Sequence, residues 1–323
     1  MIIIISEHID FSTNNVINWL RLYKKAVIRI NPKDTLNIEF SNELSNNNID
    51  SSIQLDKLKI KSTDINTIWY RRGYFINRFN LASLQETNHL QKKKELKFLQ
   101  TEKQNLIDFF NLNISESQKL GAYDKYEVNK LNVLKLAIKN KIKIPSTIIT
   151  TQKTEVIEFH KKMKENIITK PILDGINQQI KNVQLNMFTS KVDDTYINNL
   201  PNTFFETCFQ ENIEKKFELR IFFLKSKFYA MAIFSQNDMQ TAIDFRQYNS
   251  NNPNRNVPFK LPDNLKKSLT KLMCDIGLNT GSIDMIYTKD KEYVFLEVNP
   301  VGQFKMTSMP CNYYIERDVA RIL

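Results

Sequence analysis

The sequence predicts an α/β (α+β) protein that divides into about two or three subdomains. Its 323 residues are 41% hydrophobic and include 21 Phe, which is enough apolar surface for more than one core. Short apolar runs alternate with helical patterns in the first half, and strand-like runs follow one another in the second half. We therefore expect three domains, at residues 1–115, 116–190 and 191–323.

The first domain mixes strands and helices. Residues 1–6 (MIIIIS) predict a core strand, because they lack the basic region and the long apolar region of a signal peptide. A helix is predicted near residues 16–23, and residues 53–60 alternate apolar and polar side chains as a half-exposed strand does. Residues 82–111 predict a long polar helix.

The second domain is predicted to be a small α/β unit. Apolar residues recur at helical spacing from 128 to 138. A strand at 142–151, interrupted by Pro145, a helix near 153–164 and a second strand at 167–173 follow. This order predicts a compact lobe.

The third domain is rich in strands. Four strand-like runs precede a helix predicted at 262–276. Two further apolar runs, 282–287 (SIDMIY) and 293–298 (YVFLEV), come next, and a C-terminal helix ends the chain. The turn between these two runs makes them a predicted hairpin.

Composition excludes several classes of protein. The three Cys are far apart and odd in number, and no CxxC pair occurs, so we predict a reducing, cytoplasmic location without disulfides or zinc. The three His are never clustered, which argues against a His-based metal site or triad. No apolar run approaches about 18 residues, so no membrane span is predicted.

The net charge of +11 creates a positive field that attracts nucleic acid, nucleotides or acidic peptides. The densest basic run, residues 92–97 (KKKELK), has the pattern of a solvated helix face. No nucleic-acid-binding motif accompanies the charge, so we predict no nucleic-acid partner.

The predicted hairpin brings two carboxylates together. If the turn at 288–292 (TKDKE) is centred on residues 290 and 291, Asp284 lies opposite Glu297, with Cβ atoms about 5 Å apart. Ser282 then lies opposite Asn299, on the same face. Apolar neighbours indicate that at least the other face is buried.

Facing carboxylates repel each other, and three features would offset the repulsion: a shared proton, a nearby Lys or Arg, or a divalent cation. The oxygens of Asp284, Glu297 and Asn299 are hard ligands, which suit Mg²⁺. The alternative is a surface hairpin with two solvated acids.

Several cations elsewhere suit phosphate. Lys170 ends a predicted strand, Lys130 lies near the start of a helix, and Arg220 lies in a strand-like run. In residues 243–246 (IDFR), Asp244 and Arg246 face the same side of a predicted strand. Together with the acidic pair, these residues supply both halves of a nucleoside triphosphate site.

With these motifs the chain resembles the ATP-grasp superfamily. The resemblance rests on Asp284 with Glu297–Pro300 (the Glu-x-Asn-Pro signature), on Lys130 and Lys170, on the hinge 209–214 (FQENIE) and on Asp244–Arg246 (Asp-x-Arg), in family order. It implies an ATP-grasp fold, in which an N-terminal pre-ATP-grasp domain precedes two lobes that clamp ATP. One departure is the lid: residues 173–187 contain a single glycine, Gly175.

The resemblance also implies roles for these residues. Asp284, Glu297 and Asn299 would bind Mg²⁺, and Lys130 and Lys170 would hold the α- and β-phosphates. Adenine and ribose would contact Gln210, Glu211 and the Ile213 backbone. Arg246 and Arg220 would hold the transferred phosphoryl group, and Asp244 is a candidate general base.

A narrower resemblance links the chain to the ATP-grasp maturases of graspetides, the microviridin-type peptides. It rests on residues 68–75 (IWYRRGYF), 128–131 (VNKL), 143–151 (KIPSTIITT) and 296–304 (LEVNPVGQF). It implies phosphorylation of Asp or Glu side chains of a precursor peptide, which then form ω-esters with Ser or Thr or ω-amides with Lys. It also implies a homodimer.

Arg71 and Arg72 could attract the acidic core of such a peptide, or could pair with an acid inside the protein. Two rival functions stay open. One is a RimK-like carboxylate–amine ligase that acts on another protein or a small acid. The other is a non-catalytic protein that binds nucleotide or nucleic acid through a degenerate fold.

Overall fold

The computed structural model describes residues 1–31, 38–72, 75, 89–125, 127–173, 177–180, 183–186, 189–236, 249 and 251–323. These residues belong to two compact units. Unit 1 comprises Met1–Glu127, Leu278–Thr280 and Tyr314–Leu323, and unit 2 comprises Val128–Gly277 and Gly281–Tyr313. The mixture of helices and sheets confirms the predicted α/β class.

Unit 1 opens with a sheet of short strands. Its elements before residue 128 are β1 (Ile2–Ile5), α1 (Phe11–Leu22), β2 (Val27–Ile30), β3 (Glu39–Ser45), β4 (Asn48–Leu55), β5 (Leu58–Lys61), β6 (Thr67–Tyr70), α2 (His89–Leu112) and β7 (Lys119–Leu120). The first sheet has the order β2-β1-β6-β7, with β1 parallel to both neighbours. All four Ile of β1 are buried, as expected for a central parallel strand.

Two predictions for unit 1 differ from the structure. α1 begins at Phe11 rather than near residue 16, because the Asp10 carboxylate accepts hydrogen bonds from the backbone of Ser12 and Thr13 and caps the helix there. The predicted single strand at 53–60 is wrong. Asp56 has a φ of 51° and turns the chain between β4 and β5, which pair as an antiparallel hairpin.

Unit 2 contains most of the remaining elements. They are α3 (Lys130–Lys139), β8 (Thr147–Gln152), α4 (Lys153–Lys162), β9 (Ile167–Lys170), β10 (Asn177–Ile180), β11 (Val183–Asn186), β12 (Ser190–Val192), α5 (Asp194–Asn199), β13 (Thr203–Glu211), β14 (Lys215–Leu224), β15 (Lys227–Phe234), β16 (Arg255–Phe259), α6 (Asp263–Ile276), β17 (Thr280–Thr288), β18 (Tyr293–Asn299) and α7 (Lys305–Ser308). The last helix, α8 (Ile315–Ile322), packs on α1 within unit 1.

Two sheets of unit 2 carry Lys170, Gln210, Glu211, Arg220, Asp284, Glu297 and Asn299. One has the order β12-β9-β13-β8, and the other has the order β16-β15-β14-β17-β18. α6 buries Leu269, Leu272 and Met273, which recur at helical spacing, and ends at Gly277, whose φ of 79° suits glycine. Among the described residues, no helix is both long and apolar enough to cross a membrane.

Candidate active site

The predicted pairing of the two carboxylates is confirmed. Asp284 on β17 faces Glu297 on β18, and Ser282 faces Asn299. The turn differs from the prediction, because Tyr287 pairs with Tyr293 and the hairpin is therefore centred on residue 290 alone.

A β-bulge on β18 compensates for this one-residue difference, so that Asp284 still pairs with Glu297. Beyond Asp284 the pairing shifts by one residue, so Leu296 is the extra residue on β18. The bulge turns Leu296 and Glu297 toward the same cavity, and both line it. An apolar wall thus lies directly beside a carboxylate.

Each carboxylate has a cationic partner. The Arg220 guanidinium, on the neighbouring strand β14, forms an ion pair with Asp284, and Lys130 Nζ lies 3.0 Å from Glu297 Oε2. Of the three features that would offset the repulsion, the structure shows the second, a nearby Lys or Arg. Lys130 is placed by the Asn129 side chain, which accepts hydrogen bonds from the first backbone N–H groups of α3.

The cavity beside this pair collects most of the predicted nucleotide residues. It is lined by Ile168, Lys170, Thr189, Gln210, Glu211, Asn212, Ile213, Lys215, Glu218, Leu219, Asp284, Met285, Ile286, Leu296 and Glu297. Lys130 and Arg220 are not among the lining residues, but each contacts a carboxylate that lines the cavity. Asn299 lies two residues beyond Glu297 on the same strand.

The predicted hinge has an ordered backbone. Glu211 N–H donates to Ser146 O at 2.8 Å, and the Glu211 carboxylate accepts from Ser146 N–H at 3.1 Å. Gln210 is buried and its amide donates to Thr147 Oγ1 at 2.9 Å. Within the part of the chain that the structure describes, the Ile213 backbone N–H and C=O have no hydrogen-bond partner. A ligand edge with a donor and an acceptor would satisfy both groups.

Sequence reasoning missed a buried ion pair in this cavity. Lys215 and Glu218 contact each other, and each side chain is 7% exposed. Ser235 Oγ donates to Glu218 Oε1 at 3.2 Å, whereas Glu218 Oε2 is buried without a hydrogen-bond partner among the described residues. The two-residue spacing of Glu218 and Arg220 in the apolar run FELRIFF was the available signal, because it places both on one face.

Burial raises the pKa of Glu218 to about 7, although the nearby Lys215 ammonium and the Ser235 hydroxyl act in the opposite direction. The nearby Asp284 carboxylate adds to the rise. The group therefore changes charge near neutral pH and offers a buried acceptor to a ligand hydroxyl or amine.

The donor set at the hairpin fits a hard cation. It offers two carboxylates and the Asn299 carbonyl oxygen, which also accepts from Gly302 N–H at 3.1 Å and so has a fixed orientation. Mg²⁺ takes few protein ligands and completes its shell with water and phosphate oxygens. Among the described residues, no group of three or more His, Cys, Asp or Glu could hold a metal, so an amide would have to complete the set.

The other predicted residues lie elsewhere. Arg71 is buried in unit 1, with Nε 3.1 Å from Asp10 Oδ2, and burial lowers its pKa to about 10. Arg72 forms a more exposed pair with Glu7 at 3.3 Å. Asp244, Arg246 and the lid glycine Gly175 lie outside the residues that the structure describes.

Solved structures similar to this chain include two at 26% sequence identity. One is the macrocyclase MdnC bound with precursor peptide MdnA from Microcystis aeruginosa MRC, with a TM-score of 0.75 and coverage of 100% of this chain and 98% of that one. The other is a Chryseobacterium gregarium RiPP-associated ATP-grasp ligase in complex with ADP and a leader and core peptide, with a TM-score of 0.80 and coverage of 99% and 94%.

A third similar structure is the ATP-grasp ligase PsnB, complexed with minimal precursor, Mg and ADP. Its identity of 16% and TM-score of 0.69, over 99% of this chain and 96% of that one, support the fold alone. No curated protein matches the chain. The family model of the RimK-like ATP-grasp domain matches residues 127–323, which is more than half of the sequence. The chain therefore belongs to the RimK-like ATP-grasp family and is an ATP-dependent ligase.

Proposed function

We propose that this ligase is a peptide maturase that uses ATP to form rings in a ribosomal precursor peptide. The observation that carries the proposal is the facing pair Asp284 and Glu297, each held by a cation, at a cavity that also contains Lys170 and the Ile213 backbone. The two similar structures at 26% identity, one bound with a precursor peptide and the other with a leader and core peptide, support this choice of substrate.

The reaction needs two steps, because a carboxylate does not react with an alcohol unaided. A side-chain carboxylate of the peptide attacks the γ-phosphorus of ATP, the bond to ADP breaks, and an acylphosphate forms. A Ser or Thr hydroxyl, or a Lys amine, then attacks the acyl carbon and displaces phosphate. Its proton leaves to a base, for which Asp244 stays a candidate. The product is an ω-ester or ω-amide ring.

Cationic side chains would direct this chemistry. Lys130 and Lys170 would hold the α- and β-phosphates, and Arg220, together with Arg246, would hold the transferred phosphoryl group. The ion pairs of Lys130 and Arg220 keep the carboxylates ordered, and phosphate oxygens would take over these cations. The location of the pairs at the cavity, where their side chains are 9–22% exposed, makes this exchange accessible to a ligand.

Acidic and amide side chains would bind the metal and the nucleoside. Asp284, Glu297 and Asn299 would hold Mg²⁺, which when bound neutralises charge that develops during phosphoryl transfer. The Ile213 backbone would bind adenine, flanked by Gln210. Glu211 and the buried Glu218 would accept hydrogen bonds from the nucleoside.

The direct test is mass spectrometry of the enzyme with ATP, Mg²⁺ and a peptide encoded next to its gene, rich in Thr and in Asp or Glu. We expect the peptide to lose the mass of one water for each ring. Unchanged peptide mass despite ATP binding would refute the maturase.

The rival amine ligase has its own support, because the matching family model is RimK-like. It predicts a gain in mass as amino acids are added to an acceptor. A non-catalytic nucleotide-binding protein predicts that ADP is not released with any acceptor. The three-domain division, the homodimer, the cytoplasmic location and the contact of Arg71 and Arg72 with the peptide stay predictions.

A further inference from the structure

Two cavities in unit 2 share no lining residue with the candidate active site. One has a volume of about 330 Å³ and is lined by residues that include Phe228, Ala230 and Phe259. The other has a volume of about 420 Å³ and is lined by residues that include Pro262 and Tyr293. Both volumes lie within the size range of small-ligand pockets.

The two cavities are neighbours on the surface of unit 2. Leu261 lines the first cavity, and the next residue, Pro262, lines the second. The rings of Phe259 and Tyr293, one from each cavity, have centroids 6.4 Å apart and meet edge to face. We call the two cavities and this shared wall the aromatic groove.

The floor of the aromatic groove is apolar and fixed. Ala230 and Leu261 are each 2% exposed, and the small Ala230 side chain leaves the depression between larger neighbours. Tyr313 forms part of the wall, and its hydroxyl donates to Ala230 O at 2.6 Å. An apolar side chain of a ligand would therefore find a preformed apolar surface.

The rim of the groove is cationic. Lys260 and Lys266 line the first cavity, Lys141 and Lys143 line the second, and Glu292 is the acid among the described residues of the two linings. Lys143 pairs with Glu292 and Lys266 with Asp263, but these pairs are exposed and hold little free energy. Carboxylates of a ligand could replace Glu292 and Asp263 as partners of these lysines at a small cost in free energy.

We propose that the aromatic groove docks an acidic peptide segment that carries one apolar side chain. The apolar side chain would enter the cavity beside Phe259, and flanking carboxylates would contact the lysines of the rim. This inference rests on the proposed function, because it assigns the segment to the precursor peptide. It adds a docking surface separate from the site where ATP is used.

The test uses a fluorescein-labelled synthetic peptide with a single Phe among Glu, Thr and Ser residues. Fluorescence anisotropy would measure its dissociation constant with the full chain. We expect Lys141→Glu combined with Lys260→Glu to weaken binding about tenfold, and Phe259→Ala to do the same. The charge reversal tests the groove even where Phe259→Ala impairs folding.

The matched control is Lys271→Glu, because Lys271 is an exposed lysine of α6 that lines neither cavity. We expect it to change the dissociation constant less than about twofold, as rim charges far from a contact do. Equal weakening by Lys271→Glu and the groove variants would overturn the proposal. Tighter binding of a single-stranded oligonucleotide than of the peptide, lost in the same groove variants, would also overturn it.

Failure of the groove and failure of the proposed function give different results. Lys170→Ala, in the nucleotide cavity, should keep the peptide dissociation constant of the wild type. If the peptide binds in the groove but is never dehydrated, the maturase function is refuted, whereas the groove stands as a docking surface. If the groove variants dehydrate the precursor with the KM of the wild type, the groove is refuted as a docking surface, whereas the maturase function stands.

Discussion

Ion pairs of unit 1 and unit 2 differ in their surroundings: Arg71–Asp10 of unit 1 is buried, whereas Lys130–Glu297 and Arg220–Asp284 of unit 2 lie at a cavity. In unit 1, Arg71 and Asp10 are 2% and 6% exposed, and Asp10 also caps α1. In unit 2, the side chains of the two pairs are 9–22% exposed, and both acids line the candidate active site. The same residue types are therefore buried inside unit 1 but face the candidate active site in unit 2.

The difference lies in what else each acid holds. Asp10 caps α1 with Oδ1, and its Oδ2 lies 3.1 Å from Arg71 Nε, so both oxygens are engaged inside unit 1. Asp284 and Glu297 lie on adjacent strands and line a cavity, where the phosphate of a ligand would compete for their cations. Burial inside a unit indicates a structural role, and partial exposure at a cavity indicates a functional one.

The largest expected effect separates the two regions directly. Glu297→Gln should lower the rate of peptide-dependent ADP release at least about 100-fold, because it removes one charge from the predicted metal site. The thermal midpoint should change little, since the side chain is only partly buried. A coupled assay for ADP and a thermal melt check both statements.

Asp290→Asn is the matched control, because Asp290 is an exposed acid at the turn of the same hairpin. We expect this variant to keep the wild-type rate. A wild-type rate in Glu297→Gln would remove the metal assignment.

Unit 1 should respond in the opposite way. Asp10→Ala leaves the buried Arg71 guanidinium without its acid and removes the cap of α1, so unfolding should need about 3–5 kcal/mol less free energy. Urea denaturation measures this loss, and ATP affinity of the folded fraction should not change. Glu7→Ala, which breaks the more exposed pair with Arg72, should cost less than about 1 kcal/mol. Equal costs for the two variants would contradict the comparison.

Sequence reasoning reached the hairpin because two local rules determine it. Side chains alternate along a strand, and a short turn fixes which residues face each other, so Asp284 and Glu297 could be paired from spacing alone. The bulge at Leu296 was not predictable, because it compensates for a turn whose length the sequence did not reveal.

The cationic partners of Asp284 and Glu297 could not be predicted from the sequence, for a different reason. Lys130 and Arg220 come from a helix and a strand far away in the chain, and only the assembled fold brings them to Glu297 and Asp284. Asp10 lies equally far from Arg71, so the sequence could not choose between a structural pair and a peptide-binding role for that Arg.

Glu218 offers a pH test inside unit 2. Its folded pKa of about 7 lies above the ordinary Glu value, so its protonated form stabilises the fold at low pH, and this contribution is lost as pH rises through about 7. Glu218→Gln should remove up to about 3 kcal/mol of the change in unfolding free energy between about pH 4.5 and pH 8.

Urea titrations of both proteins across this pH range measure the effect. The groups that face Glu218 are Lys215, Ser235 and, more distantly, Asp284, and all three stay in place in the variant. A profile as steep in Glu218→Gln as in the wild type would show that another group titrates.

The smallest effect is expected at an exposed ion pair whose own side chains do not line the candidate active site. Lys289 and Glu214 lie 3.1 Å apart, and their side chains are 69% and 72% exposed. Lys289→Ala should change the unfolding free energy by less than about 0.5 kcal/mol, because water screens the pair and ordering two long side chains offsets its attraction. ADP release should also keep its wild-type rate. A loss of rate here, although Glu214 follows Ile213 directly, would mean that the pair positions the hinge, and exposure alone would then no longer separate structural pairs from functional ones.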